Sequence, residues 1–430
     1  MNTLFLSSIK NTGINTTKKV ALESCINKVL LYQFHNAKSN VEIPSATPNT
    51  LNLNINNKTN IKKELPKTKV NNIKNIDILI NQQQQTNIHK PELDVKINLD
   101  VTKRKKPGIV FDIDGVLVKG KNVLPETLKT LKLLNTLHIP FVFLTNGGGK
   151  TEKKKAQELS QRFQVPIREE QIILGHSPMK MIPDEIKEKM ALVIGPDSCK
   201  EVAKSYGFKK PILSKEIISW RPSIWPFEDQ QLLDCPYDLD NECFGSVLVF
   251  NDSNTWGQDI QIGCDILRSI NGKLGTQQIP YEQQAVPCYF ASSDLLWSND
   301  FPLSRFGQGA FKIAFLKLFK ELTGKNVEVI QYGKPEKTTY DFTKNLLEKF
   351  SKNYLNEEIS NVYAVGDNPS VDILGANNYG WHSILVRTGV FRTGKNDKKY
   401  PAKTVVNNVL DSVKFILSQE NLLNENENEN

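Results

Sequence analysis

Four short segments place carboxylates, a hydroxyl and a lysine just after apolar, β-favouring runs. They are residues 109–117 (IVFDIDGVL), 141–149 (FVFLTNGGG), 330–338 (IQYGKPEKT) and 362–372 (VYAVGDNPSVD). Each breaks into polar residues with Gly or Pro beside them, which is how a buried strand ends in a loop. In an open parallel sheet, ligands bind beyond the carboxyl ends of the strands. Four such breaks therefore predict polar groups that meet at one site.

The stretches between the motifs alternate in period. Leucines at 128, 131, 134 and 137 form a helical stripe over 125–137, residues 139–144 read as a second strand, and 151–163 as a second helix. Such βαβ alternation predicts a parallel sheet with right-handed crossovers. Residues 190–195 (MALVIG) and 246–251 (SVLVFN) read as strands, and 197–206 and 258–271 as helices, of an inserted segment with a core of its own. Residues 219–241, with Trp220 and Trp225 and no clear period, read as a long loop inside it. A helix over 311–322 is expected to lead back to the first sheet. Residues 326–331 and 361–365 are expected to be further strands of that sheet, with a helix over 338–350 between them. Residues 383–387 form its last strand and 405–418 a closing helix. The fold class is α/β: a Rossmann-like parallel-sheet core, over 105–180 and 311–418, with an inserted α/β domain over 181–310.

Composition separates the ends from this body. The first 100 residues include 18 Asn and the run Gln82–Gln85, too little apolar material to offset the entropy of ordering. Residues 1–104 are expected to be a disordered Asn/Lys-rich leader, and 419–430 a disordered tail. The net charge of +8 is concentrated in that leader: residues 1–106 hold 17 Lys/Arg against 7 Asp/Glu, and the remainder holds 38 against 40. The folded part is near neutral, so no nucleic-acid-binding surface is implied. Cysteines 25, 199, 235, 243, 264 and 288 form no C-x-x-C pair, which argues against a zinc site or a disulfide framework and suggests a reducing compartment. No apolar run approaches the roughly 18–20 residues that cross a bilayer. Residues 1–22 carry Lys10, Lys18 and Lys19 and no acid, compatible with a mitochondrial transit peptide. Arg104 is the first arginine, and the alternative is a leader with no address.

Asp112 and Asp114 stand two apart past a strand, where extended residues i and i+2 point the same way. One carboxylate can attack phosphorus while the other handles the leaving-group proton. Thr145, Asn146 and Gly147 follow the second strand, where a hydroxyl and backbone N–H groups can hold phosphate oxygens. Lys334, between Gly333 and Pro335, is placed to neutralise a carboxylate and a phosphate. Asp367 and Asp372 frame GDNPSVD. Mg²⁺ takes hard oxygen ligands and uses one or two carboxylates plus phosphate; Asp367 suits direct ligation and Asp372 a supporting position. Together these residues predict Mg²⁺-dependent chemistry on a small phosphorylated substrate.

The motifs DxDGV, a strand-end Thr, an isolated Lys and GD-x4-D, in that order, resemble the haloacid dehalogenase-like hydrolase superfamily. The long insertion between the second and third resembles class IIA, whose cap domain is itself α/β. TNGGG, DIQIGCDIL, DLLWSNDFPLSRFGQGAF, YGKPEKTTY and GDNPSVDILGAN resemble, more closely, the cat-eye-syndrome critical region protein family. The likeness covers residues 107–415. It implies a phosphatase in which Asp112 is the nucleophile, forming an aspartyl-phosphate. Asp114 would be general acid/base and lend its backbone carbonyl to the metal. Thr145, Asn146 and Gly147 would bind the phosphoryl group, Lys334 orient Asp112, Asp367 ligate Mg²⁺, and Asp372 support it. Where related chains often carry Asn-Pro-Asp, this one has Ser292-Ser293-Asp294. The likeness also implies a mitochondrial address and a link to glycerophosphate-containing lipids. Alternatives are a phosphonatase or dehalogenase on the same fold, which the second aspartate disfavours, and a non-catalytic binding or assembly protein that keeps the fold.

Overall fold

The computed structural model describes residues 105–227, 234–297, 301 and 303–422. The leader expected over 1–104 lies outside the described residues, as does the tail beyond Leu422 and part of the 219–241 loop. The main strands, in chain order, are β1 (Lys106–Phe111), β2 (Phe141–Thr145), β3 (Ile172–Leu174), β4 (Met190–Ile194), β5 (Lys210–Leu213), β6 (Phe244–Val249), β7 (Cys288–Phe290), β8 (Val329–Gln331), β9 (Ile359–Gly366), β10 (His382–Val386) and β11 (Thr404–Val406). The first sheet runs β11-β10-β9-β1-β2-β3 and the second β8-β7-β6-β4-β5. Both are parallel throughout.

Every residue of β1 and β2 is buried, because helices cover both faces of the first sheet. Alternation along β1 divides its side chains. Ile109 and Phe111 join Leu131, Leu134 and Phe163 on one face, and Val110 joins Tyr340, Leu347 and Trp381 on the other, the period-2 rule of a strand. Thr151 caps helix Glu152–Phe163 by accepting from the Lys154 N–H at 3.2 Å, as a β-region threonine at an N-cap does.

Three expectations need correction. Residues 326–331 do not supply a strand of the first sheet: Val329–Gln331 pairs with Cys288–Phe290 at the edge of the second. Accordingly, helix Gln308–Thr323 does not lead back to the first sheet. It buries Phe311, Phe315 and Phe319 in the core of the second, and Phe311 and Phe315 lie 6.4 and 6.2 Å from Phe290. An i, i+4 aromatic stripe declares a buried face but not which sheet it covers. Residues 405–418 are not one helix, since β11 precedes helix Val409–Gln419. The short strands β3, β5, β7 and β11 were not expected at all. At three or four residues they are too short for a period to show.

Candidate active site

The carboxyl ends of the two sheets open on one cleft of ≈ 380 Å³. Its first-sheet side carries Asp112, Asp114, Thr145, Asn146, Gly147, Asp367 and Asp372, and Lys334 reaches it from the end of β8. All eight residues singled out from the sequence therefore line one cavity.

At its floor, Asp112 and Lys334 are buried and Lys334 Nζ lies 2.6 Å from Asp112 Oδ1. The same ammonium lies 2.6 Å from Asp372 Oδ1 and donates to the Leu144 carbonyl at 2.9 Å. Two of its three N–H donors go to Asp112 and the Leu144 carbonyl and its charge is paired with Asp372 as well, so Lys334 is engaged by protein and would act on a phosphate mainly by its charge. Asp372 is equally committed: Oδ2 accepts from the N–H groups of Asp367 (3.1 Å) and Asn368 (2.9 Å). Asp367 gives Oδ2 to the Val390 N–H at 2.6 Å. Asp114 is exposed at the cleft rim. Gly115 between these parts has φ +91°, and a Cβ there would stand 2.3 Å from Asp367 Oδ2, so only glycine fits.

Oxygens of Asp112, Asp367 and Asp372 lie within 4.8 Å of one another. Burial pushes Asp112 well above the usual carboxylate range, against the pull of Lys334 and with the push of Asp372, Asp367 and Asp114. Burial, with Asp372 beside it, lifts Asp367 to about 7. Burial alone would lower Lys334, but the charges of Asp112 and Asp372 outweigh it and hold the ammonium protonated. Three clustered carboxylates facing one ammonium leave an excess of negative charge. A hard divalent cation fits that excess and that all-oxygen donor set. Asp112 and Asp367 each retain an oxygen for it; Asp372 Oδ2 holds backbone N–H groups, while its buried Oδ1 lies beside the Lys334 ammonium and accepts no hydrogen bond among the described residues.

Thr145 Oγ1 accepts from the Gly147 N–H at 3.1 Å, bracing the turn after β2. The Asn146 side chain is a strut. Its Nδ2 donates to Asp294 Oδ1 and to the Lys334 carbonyl, both at 3.0 Å, and its Oδ1 accepts from the Lys334 N–H at 2.6 Å. With that amide committed, phosphate contacts from residues 145–147 fall to the backbone and the hydroxyl. Gly333, at φ +84°, lets the chain pass under Ala291, whose carbonyl oxygen would lie 2.4 Å from a Cβ.

Residues from the second sheet complete the cleft: Asn251, Asp252, Ser292, Asp294, Leu296, Trp297, Gly307 and Gln308. None was singled out for a role. Yet SVLVFNDS breaks from an apolar run into polar residues as the four motifs do, so the same rule applied to the inserted domain points to Asn251 and Asp252.

A family model described as haloacid dehalogenase-like hydrolase matches residues 109–209, and one described as HAD-hydrolase-like matches residues 331–412. A mitochondrial hydrolase of Saccharomyces cerevisiae is 38% identical over 339 residues, covering 73% of this chain and 96% of its own length. A Schizosaccharomyces pombe protein named as a fusion of cardiolipin synthase (CMP-forming) with a mitochondrial hydrolase is 42% identical over 316 residues. That match covers 72% of this chain and 53% of the fusion, so the chain spans about half the length of that relative. Among solved structures, a 4-nitrophenylphosphatase from Thermotoga maritima superposes with a TM-score of 0.51 at 17% identity, covering 72% of this chain and 97% of its own. That likeness is one of fold.

Proposed function

Because the chain belongs to the haloacid dehalogenase-like hydrolases, and is a phosphatase-type hydrolase, we propose that it cleaves a small phosphate monoester with Mg²⁺ as cofactor, and that the second sheet, on its insertion, forms a class IIA cap. The observation that carries this reading is the charge-excess cluster of Asp112, Asp367 and Asp372 around Lys334 on the floor of the cleft.

Asp112 is the nucleophile. It forms a bond to phosphorus as the ester P–O bond breaks, and Asp114 gives the leaving alcohol its proton. Asp114, now a carboxylate, takes a proton from water as that water attacks the aspartyl-phosphate. Inorganic phosphate leaves and both aspartates return to their starting forms. Lys334 orients Asp112 and offsets its charge. Thr145 and the backbone of Asn146 and Gly147 hold the phosphoryl oxygens. Asp112, Asp367 and the Asp114 carbonyl would hold Mg²⁺, with Asp372 steadying the loop, and the bound ion would neutralise phosphoryl charge.

At the finer level, the motif likeness supports placement in the cat-eye-syndrome critical region family. The named address of the yeast relatives supports a mitochondrial location and the fission yeast fusion a link to glycerophospholipid metabolism. Among the described residues no helix is long and apolar enough to cross a membrane. The test is hydrolysis of p-nitrophenyl phosphate by the full chain. Activity that requires Mg²⁺ and is lost in Asp112→Asn supports the reading; equal activity after exhaustive chelation overturns it. Fractionation of cells expressing the full chain decides the location.

A further inference from the structure

The walls of the cleft are charged asymmetrically. Six aspartates line it, Asp112, Asp114, Asp252, Asp294, Asp367 and Asp372, and among the described residues Lys334 is its one basic group. Lys334 is already engaged by Asp112, Asp372 and the Leu144 carbonyl. The first-sheet aspartates are accounted for by phosphoryl chemistry and the cation. Asp252 and Asp294 are not: they stand on the second-sheet side, where the alcohol portion of a substrate would lie, and among the described residues no basic group of the cleft other than Lys334, already engaged, answers them. Arg305, on a short strand (Arg305–Phe306) that pairs antiparallel with Leu296–Trp297 beside the cleft, has its guanidinium over the Phe301 ring at 4.5 Å and is not among the lining residues.

The Asp294 carboxylate is held in place. The Asp294 N–H donates to Ser292 Oγ at 3.1 Å and its carbonyl accepts from the Gly309 N–H at 2.8 Å. One side-chain oxygen accepts from Asn146, which fixes the carboxylate against the phosphoryl end of the cleft. Asp252 follows β6 beside Asn251, near enough to Asp294 that its charge helps raise that carboxyl, after burial, to about 6. The side chains of Asn251 and Asp252 make no hydrogen bond among the described residues, although burial raises the Asp252 carboxyl too. Trp297 closes the wall, its ring anchored by a bond from Nε1 to the Phe306 carbonyl at 3.2 Å. Two half-buried carboxylates, Asp252 without a hydrogen-bond partner and Asp294 held by a single amide, next to an indole face, are an arrangement that receives an ammonium group.

We propose, resting on the phosphatase reading, that Asp252 and Asp294 select the leaving group: the substrate is the phosphate monoester of an ammonium-bearing alcohol, and esters carrying a second anion are rejected. A second carboxylate or phosphate would be driven against two like charges and find no free cation, a juxtaposition that disfavours the wrong partner strongly. A neutral polyol falls between.

Three esters of similar size test this with the full chain and Mg²⁺: 2-aminoethyl phosphate, glycerol 1-phosphate and phosphoglycolate. The expected order of kcat/KM is the order given, about tenfold or more between first and last. Asp252→Asn lowers kcat/KM for 2-aminoethyl phosphate and raises it for phosphoglycolate, opposite changes that a folding defect does not produce. Phosphoglycolate equalling 2-aminoethyl phosphate in the wild type, or both esters moving the same way in Asp252→Asn, overturns the proposal. Calorimetric binding of the three esters to Asp112→Asn separates selection from catalysis. The same order of affinity there upholds the proposal even if the wild type hydrolyses nothing, whereas an inverted order sinks it even if p-nitrophenyl phosphate is turned over rapidly.

Discussion

Two buried acidic sites a few elements apart are built on opposite principles. Glu152, 3% exposed, opens the helix after β2. Its Oε1 meets Ser177 Oγ at 2.6 Å, the Tyr206 hydroxyl at 2.7 Å and Lys180 Nζ at 2.9 Å. Burial pulls this carboxyl upward, but Lys180, Ser177 and Tyr206 more than cancel it, and Glu152 ends below its ordinary range. At Asp112 and Asp367 burial also pulls upward, and there the neighbouring aspartates add to it against the pull of Lys334, leaving Asp112 well above the usual carboxylate range and Asp367 at about 7. A carboxylate kept for structure is answered donor for donor. Carboxylates gathered in excess of their cations cost stability, so their presence points to a ligand that supplies positive charge.

The strongest test of this contrast is Asp112→Asn. Turnover should fall at least about a thousandfold, since the nucleophilic oxygen is lost while the shape is kept. Thermal unfolding of the metal-free protein should show no loss, because one member of a repulsive cluster has been neutralised. Wild-type turnover in this variant would place the chemistry elsewhere.

Next in size is the supporting carboxylate. Asp372→Asn should raise the Mg²⁺ concentration for half-maximal activity by about 10–100-fold, the usual cost of disturbing a group that orients a ligand. Asp372 holds the N–H groups of Asp367 and Asn368 as well as Lys334, so saturating Mg²⁺ should restore only part of kcat. An unchanged Mg²⁺ titration would mean that the loop holds its shape without Asp372.

Glu152→Gln sharpens the contrast from the other side. It should destabilise the protein by about 1–3 kcal/mol, because two hydroxyls and an ammonium lose a charged acceptor in a buried site. The sign with pH follows from the lowered carboxyl. Its stabilisation is fully present above the ordinary glutamate range and is lost as pH falls through the lower folded value. Denaturant melts of wild type and variant should therefore differ at pH 7 and converge in acid. A gap that widens in acid would contradict the assignment of Glu152 as a matched structural anion.

The sequence made the catalytic half of the cleft legible for a physical reason. Buried central strands such as IVF and FVFL are near-continuous apolar runs, and their abrupt ends mark the loops where ligands bind. Lys334 was legible as a residue but not in its origin, because β8 has three residues of mixed burial and nothing local says which sheet it joins. The role of Asn146 as a strut between Asp294 and the Lys334 backbone was invisible, since it depends on contacts 148 and 188 residues away in sequence. Asp252 follows a legible strand, but in the inserted domain, where no motif of the first sheet marks it.

The smallest expected effect separates the two walls of the cleft by pH. Asp294 titrates at about 6, raised first by burial and further by Asp372 and Asp252, against Asn146 and Lys334. A carboxylate attracts an ammonium group only when ionised, so the selection it provides is present above that value and fades as pH falls through it. Both 2-aminoethyl phosphate and glycerol 1-phosphate carry a phosphate that titrates in the same region, so individual rates mix the two effects. Their ratio of kcat/KM largely cancels the phosphate, and also any titration of Asp112 and Asp367 that both substrates share. The ratio should drop a few-fold, about 1 kcal/mol or less, between pH 7.5 and roughly pH 5, while the absolute rates follow their own profile. In Asp294→Asn the ratio should start lower and change less over that range, Asp252, itself raised by burial, supplying what dependence remains. A wild-type ratio independent of pH would assign selection to Asp252 alone and leave Asp294 as the anchor of Asn146.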